Sequence, residues 1–372
     1  MEISVLPSTN VLQECMPPHK IGPTRWIVTR HTDARQVLAN HEQFSSEFPN
    51  DNAPDELKLF INSDPPSHTR YRRMLASEFS EKAMSSLRPR VTEIVNSLVD
   101  DLYVGDQSID LMEVLIRPTV FRVLAGAILG LPVEDQRIYD DWLHTFQNAS
   151  SSAAERRSAC SALLANVRQA VRSQSGNPEF LPGRFMTRAS EKEAAAITAI
   201  LIFAGYETTV TLTGIGVLSL LQHPQQMDIF RLHPTMRAAI VQEVIRYVSV
   251  VPGVTRVATA DVVVGGQSIA AGDVVVVSLP AASWDPEEFT NPHLLSSSRS
   301  RNHHLGFGHG IHRCLGRLLA QELFATILHS LVDRFPNVTL AHSNIPSLIQ
   351  ESTLFHGVKN LPVRLQETPR SA

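Results

Sequence analysis

HHLGFGHGIHRCLG, residues 303–316, sets one cysteine among four histidines and four glycines. The chain holds two other cysteines, Cys15 and Cys160, both remote in sequence. An apolar helical pattern begins near Leu315 and runs to Phe335, so Cys314 falls on a glycine-rich turn at a helix N-terminus. Free amides there stabilise a thiolate, and glycines let a large flat ligand approach the backbone. A thiolate so placed is suited to ligate iron. Zinc is the competing reading, through His303, His304, His309, His312 and Cys314. It fails on pattern, because zinc ligands usually come as spaced pairs from two segments and no second Cys/His pair is present.

Composition sets wider bounds. With 372 residues, 43% hydrophobic and 19% charged, the chain can bury one large core or two closely packed lobes. A net charge of −4 gives no general attraction to phosphate backbones or anionic lipid, so neither a nucleic-acid nor a membrane partner is expected. An odd number of widely spaced cysteines excludes a disulfide framework and fits a reducing compartment, the cytoplasm by default. The opening MEISVLPSTNVLQECMPPHK lacks the basic and apolar regions of a secretory signal, and no export is expected.

Along the chain, strand composition at Thr24–Arg30 precedes helical spacing from Thr32 to Leu38 and a polar loop, Ser45–Asp55. Helical patterns then fill residues 67–78, 84–103, 111–129, 134–148, 153–174, 190–222 and 234–248. From Val251 the texture is β-rich, with Val262–Val264, a Gly265-Gly266 turn and Val274–Leu279. Ser296–Arg301 reads as a solvated polar loop. The apolar stretch Ala194–Leu221 is the one candidate membrane span, but Glu207 sits near its middle, Ser190 and Glu193 form a capping box, and Pro224 follows its end. A buried core helix is expected. Within it, Gly205 costs about 1 kcal/mol against alanine and Thr208 can back-bond to the carbonyl of Ala204, so a local opening is expected.

The cysteine segment resembles the haem-binding signature of the cytochrome P450 family, F-G-x-G-x-H-x-C-x-G, at every fixed position. Ala204-Gly205-Tyr206-Glu207-Thr208-Thr209 is similar to that family's oxygen-activation motif, Glu243-Val244-Ile245-Arg246 to its E-x-x-R, and Asp64-Pro65-Pro66-Ser67-His68-Thr69-Arg70-Tyr71-Arg72-Arg73 to its D-P-P-x-H-T-x-x-R. The resemblance runs from the Trp26 strand to Leu361-Pro362-Val363. It implies a mainly α fold with a helix-rich lobe and a smaller β-rich lobe, as one domain over residues 1–372 with no fused reductase. It implies haem b as cofactor, with Cys314 as axial thiolate and His68, Arg72, Arg256 and His312 on the propionates, which as buried carboxylates need charge-assisted partners. Thr208 would serve oxygen activation with Glu207 feeding it protons, since the distal oxygen must be protonated before the O–O bond breaks.

By the same resemblance Glu243 and Arg246 are a buried fold-organising pair. The family's third basic residue is expected near Asn291-Pro292-His293-Leu294-Leu295, where Leu294 stands at the arginine position and His293 is the candidate replacement. Substrate-facing positions would be Phe203, Ala204, Val250, Val251, Gly253, Val254, His356, Gly357 and Val358, a mostly aliphatic set for which core packing is the alternative. Arg70, Arg73, Arg313 and Arg317 would form a basic face for a ferredoxin or flavodoxin. The N-terminus and the substrate-roof region between Pro132 and Ala204 look short for the family, which points to a bulky or carrier-tethered small molecule. The expected activity is insertion of one oxygen atom from O2 into an apolar, secondary-metabolite substrate. A peroxide-driven or coupling enzyme, or a non-catalytic haem sensor, are the alternatives.

Overall fold

A computed structural model describes residues 15–48, 61–102, 105, 107–147, 150–342, 344, 349–351 and 356–366. The stretch read for an export signal lies outside them up to residue 14, as does the polar loop from residue 49. The chain divides into two compact units, each assembled from two separated stretches: residues 1–76 with 222–317, and 77–221 with 318–372.

The first unit is built on a five-stranded sheet in the order His19–Gly22, Arg25–Val28, Val274–Ser278, Gly253–Ala258, Phe44–Ser45. Arg25–Val28 runs parallel to Val274–Ser278, with Arg25 opposite Val274, and the other pairings are antiparallel. Alternation drives the packing: Val275 and Val277 bury with Trp26, Val28 and Phe44 against Ala34, Val37 and Leu38 of the His31–Ala39 helix. Gly265 and Gly266, at φ 55° and 81°, turn Val262–Val264 back onto Gln267–Ile269, as the double glycine predicts. Pro224 lies just past the end of the long helix, as its position predicts, and it also opens a helix absent from the sequence expectation, Pro224–Leu232, where its missing N–H is no loss. Leu279 is not strand but starts the Leu279–Ser283 helix, capped by the Ser278 hydroxyl accepting from the Ala281 amide. The helix after Cys314 begins at Arg317 rather than Leu315.

The second unit is helical: Glu81–Asp100, Gln136–Gln147, Ala153–Ser173, the short Leu181–Phe185, which the sequence reading missed, Glu191–Gln222 and Arg317–Arg334, the last two crossing its boundary by one residue each. The 111–129 pattern is not one α-helix. It is a π stretch, Met112–Ile116, an α turn, Arg117–Phe121, and a second π stretch, Arg122–Ile128. Ile109–Asp110, Pro362–Gln366 and Asn337–Leu340 form a three-stranded sheet, and Ile349–Glu351 pairs with His356–Val358. Both halves of the predicted capping box are made at the long helix: the Ser190 amide donates to Glu193 and the Glu193 amide to the Ser190 hydroxyl. That helix is long and apolar enough to cross a membrane, but 78% of its most apolar window is buried inside the protein.

Candidate haem and oxygen-activation site

In the first unit the Cys314 amide donates to the Phe307 carbonyl at 2.8 Å and closes the loop. Gly308 and Gly310 sit at φ 67° and 72°, which favours glycine at both. They do different work. A Cβ on Gly310 would collide with the Leu38 carbonyl oxygen, so this glycine lets the loop rest on the His31–Ala39 helix. A Cβ on Gly308 or Gly316 would meet nothing within 4 Å, which is the open space a flat ligand needs. Two opposing influences act on the Cys314 thiol. Burial pushes its pKa up, and this outweighs the Gly316 amide and the guanidinium groups of Arg72, Arg317 and Arg313, which favour the thiolate. A cation bound at the sulfur is what displaces such a proton.

Around this loop the first unit gathers basic side chains. The rings of His68 and His312 lie 4.4 Å apart, and His312 Nε2 is 3.0 Å from the Ser46 hydroxyl. Burial, then Arg256 and His68, hold the His312 pKa down to about 3, so the ring is neutral. Both nitrogens of buried His68 lack a hydrogen bond, although the Ile311 backbone lies beside the ring. Arg72 donates to the Arg313 carbonyl, and Arg256 to that of its neighbour Thr255 at 2.7 Å. Burial lowers the proton affinity of both arginines, and neither has a carboxylate at ion-pair distance among the described residues. A buried guanidinium at Arg256 and a half-buried one at Arg72, without anions, call for a ligand that brings carboxylates of its own. Haem, with two propionates and an iron that takes a thiolate, fits these residues.

Behind the loop, Arg246 forms a two-pronged pair with Glu243 at 2.9 and 2.8 Å, and Arg246 also donates to the Ser283 and Leu294 carbonyls. The third basic residue is Arg299, not His293. Arg299 Nε donates to Glu243 Oε1 at 2.8 Å, and its other nitrogens reach the carbonyls of Thr290, Asn291 and Leu294. His293 instead packs edge-on against Trp284, and Leu294 is 53% exposed. The Ser296–Arg301 segment is therefore no free polar loop, since the Ser296 amide also binds Glu243. An arginine within a serine run, five residues after the expected position at Leu294, was the available signal.

In the second unit the long helix is buried from Ala194 to Leu220 except at Phe203, Ala204, Gly205 and Thr208, which are half-buried. Residues 204, 205 and 208 share one helical face. The Thr208 hydroxyl donates to the Ala204 carbonyl at 2.7 Å, as its position predicts, but the helix runs unbroken and the expected opening is absent. One satisfied back-bond leaves the α ladder intact. Gly205 is needed for another reason: its Cβ would press on Leu124 at 3.0 Å. Glu207 is buried and faces Arg117, whose Nη1 and Nη2 lie 3.2 and 3.4 Å from its oxygens. Arg117 also approaches Asp140 Oδ1 at 3.7 Å, and Tyr206 donates to that oxygen at 2.7 Å. These partners escaped the sequence reading, and an arginine in the apolar run 114–121 was their only mark.

Of the remaining substrate-facing candidates, Val251 and Val254 are partly buried and pack on the first unit's core, and Val250 is buried. A Cβ on Gly253 would meet the Val277 carbonyl oxygen at 2.8 Å, so sheet pairing accounts for that glycine. Gly357 lies against Thr211, Val358 is buried beside Gly214, and the His356 side chain lies outside the described residues.

The family profile described as Cytochrome P450 matches residues 234–363. The chain is 32% identical over 358 residues to Cytochrome P450-SU2 of Streptomyces griseolus, covering 92% of this chain and 88% of that protein. It is 34% identical over 370 residues to Cytochrome P450 monooxygenase PikC of Streptomyces venezuelae, covering 94% and 88%. A solved structure of a mutant of P450 EryK in complex with erythromycin B superposes with a TM-score of 0.86 at 28% identity, covering 96% of this chain and 95% of that one. With such similarity along nearly its whole length, and a cysteine loop shaped for a flat iron-bearing ligand, the chain belongs to the cytochrome P450 family, the haem-dependent monooxygenases.

Proposed function

We propose that this cytochrome P450 inserts one atom of O2 into a mostly apolar small molecule of secondary metabolism, using electrons from a separate ferredoxin or flavodoxin in the cytoplasm. The observation that carries the reading is the single half-open strip on an otherwise buried helix, Phe203, Ala204, Gly205 and Thr208, which offers a hydroxyl and small apolar surface. Haem, when bound, supplies the oxygen-activating chemistry. The chain's residues do the rest. Cys314 holds the iron through its sulfur, and His68, Arg72, Arg256 and His312 bind the propionates. The Thr208 hydroxyl, now donating to Ala204, is free to rotate and pass a proton from its oxygen, and Glu207 replaces that proton.

The substrate class draws support from EryK, whose mutant is solved in complex with erythromycin B. Between Gly130 and the long helix the described elements are a 3-10 turn, Val133–Asp135, and the helices Gln136–Gln147, Ala153–Ser173 and Leu181–Phe185; the sequence there reads as short for the family, which favours a bulky substrate, free or tethered to a carrier. Cys15, Cys160 and Cys314 form no disulfide among the described residues. The test is a carbon-monoxide difference spectrum of the reduced protein, then a screen for compounds that shift the haem spin state. A bound compound should accelerate reductant consumption and yield an oxygenated product. Ligand binding that never stimulates turnover would overturn the reading in favour of a sensor.

A further inference from the structure

The Glu207 carboxylate is one end of a polar cluster that crosses three elements of the second unit. Arg117 sits on the α turn between the two π stretches, and such distortions of a helix often mark functional positions. Its Nη1 lies 3.2 Å from Glu207 Oε2 and 3.7 Å from Asp140 Oδ1, so one nitrogen is shared by two carboxylates. Tyr206, fully buried, donates to Asp140 at 2.7 Å and accepts from the Gln136 amide at 3.3 Å. The four ionisable groups differ in reach. The side chains of Glu207 and Arg117 are 10% and 17% exposed, whereas that of Asp140, on the Gln136–Gln147 helix, is 29% exposed.

We infer that Asp140 is the solvent-side carboxylate that resupplies Glu207 with protons, and that Arg117 is the positioning residue that holds the two carboxylates within reach of one bridging water. The inference rests on the role given to Glu207 above. In the step, Asp140 takes a proton from solvent, an O–H bond of the bridging water breaks towards Glu207 as Asp140 returns a proton to that water, and no electron moves. The charge balance suits this task. One guanidinium faces two carboxylates, so the cluster accepts one proton without a new buried positive charge. Burial raises the Asp140 pKa, against the Tyr206 hydrogen bond and Arg117 and together with Glu207, which brings the group closer to working pH. Burial disfavours charge on Arg117, but Glu207, Tyr206 and Asp140 overcome it and keep the guanidinium protonated. Tyr206 is held neutral, chiefly by burial and by Asp140, and stays a donor.

The test compares Asp140→Asn, Asp140→Glu, Arg117→Gln and Glu207→Gln in the haem-loaded protein. Asp140→Asn should lower kcat and product formed per reductant by about tenfold. It should raise the solvent deuterium isotope effect and leave the substrate-induced spin shift and KM unchanged, while Asp140→Glu restores coupling. Independently of turnover, a pH-difference infrared spectrum of the resting protein should show a protonated carboxyl band that vanishes in Asp140→Asn and persists to higher pH in Arg117→Gln. If Glu207→Gln uncouples the reaction but Asp140→Asn keeps wild-type coupling and isotope effect, the relay is wrong while the role of Glu207 stands. If Glu207→Gln itself leaves coupling unchanged, the underlying reading falls first. An infrared band unaffected by Asp140→Asn also overturns the relay.

Discussion

Arg299 donates to the buried carboxylate of Glu243 at 2.8 Å, from a segment whose composition reads as solvated loop. Glu243 thereby holds two guanidinium groups, the Ser296 amide and the Asn302 side chain. Removing one partner leaves an uncompensated buried charge, so Arg299→Ala should cost about 3 kcal/mol in urea unfolding and accelerate haem loss. Arg299→Lys should recover part of this, since lysine cannot reach Glu243 and three carbonyls together. His293→Ala should cost about 1 kcal/mol, the worth of its contact with Trp284. Equal losses for the two alanine variants would refute the assignment.

Gly308 and Gly310 share a left-handed backbone but not a neighbour. Gly308→Ala should cost only the backbone penalty, about 1–2 kcal/mol. Gly310→Ala adds a collision with the Leu38 carbonyl and should cost roughly 3 kcal/mol or more, or prevent folding. Thermal unfolding of the pair would show the ranking.

Thr208→Ala removes a hydroxyl that donates to the Ala204 carbonyl in its own helix. Stability should change by less than about 1 kcal/mol. Reductant should still be consumed, but with peroxide released in place of product. Coupling that matches the unaltered enzyme would remove Thr208 from the proton path.

His304 is held as the Nε2–H tautomer: Nε2 donates to Gln242 at 3.0 Å and Nδ1 accepts from the Gly306 amide at 3.1 Å. Burial, then Arg313 and Arg246, lower its pKa to about 4. Below its unfolded value, about 6.5, the unfolded chain binds the proton and the folded chain does not, so stability falls with pH until the folded value is passed. The full effect is on the order of 3 kcal/mol between about pH 6.5 and 4. His304→Gln should flatten this part of the stability curve in pH-dependent urea titrations. An unchanged slope would mean that another group titrates there.

Arg70, Arg73 and Arg313 are exposed and Arg317 is half-buried, all in the first unit. Charge reversal at Arg73 or Arg313 should slow reduction by an acidic ferredoxin, and raised ionic strength should slow the unaltered enzyme in the same way. Stopped-flow reduction at several salt concentrations would reveal a neutral docking face as a flat response.

Local rules made much of the fold legible. The Ser190 capping box, the Gly265-Gly266 hairpin and the Thr208 back-bond each depend on residues at most four apart, and each is present as read. Partners that converge from distant segments were hidden. Arg299 reaches Glu243 across 56 residues and Arg117 reaches Glu207 across 90, distances at which spacing carries no signal. The π stretches were hidden for another reason: their apolar residues satisfy an α pattern over five to seven positions as well as a π one.

The parallel pairing of Arg25 with Val274 has a consequence for how the chain is made. At roughly 5–20 residues per second, the first of these strands leaves the ribosome some tens of seconds before the second exists. Its apolar face, Trp26 and Val28, waits that long for Val275 and Val277. Newly made chains should therefore depend on chaperones early in synthesis, and Cys314, which follows that strand by a few dozen residues, becomes available for loading only once this sheet can close.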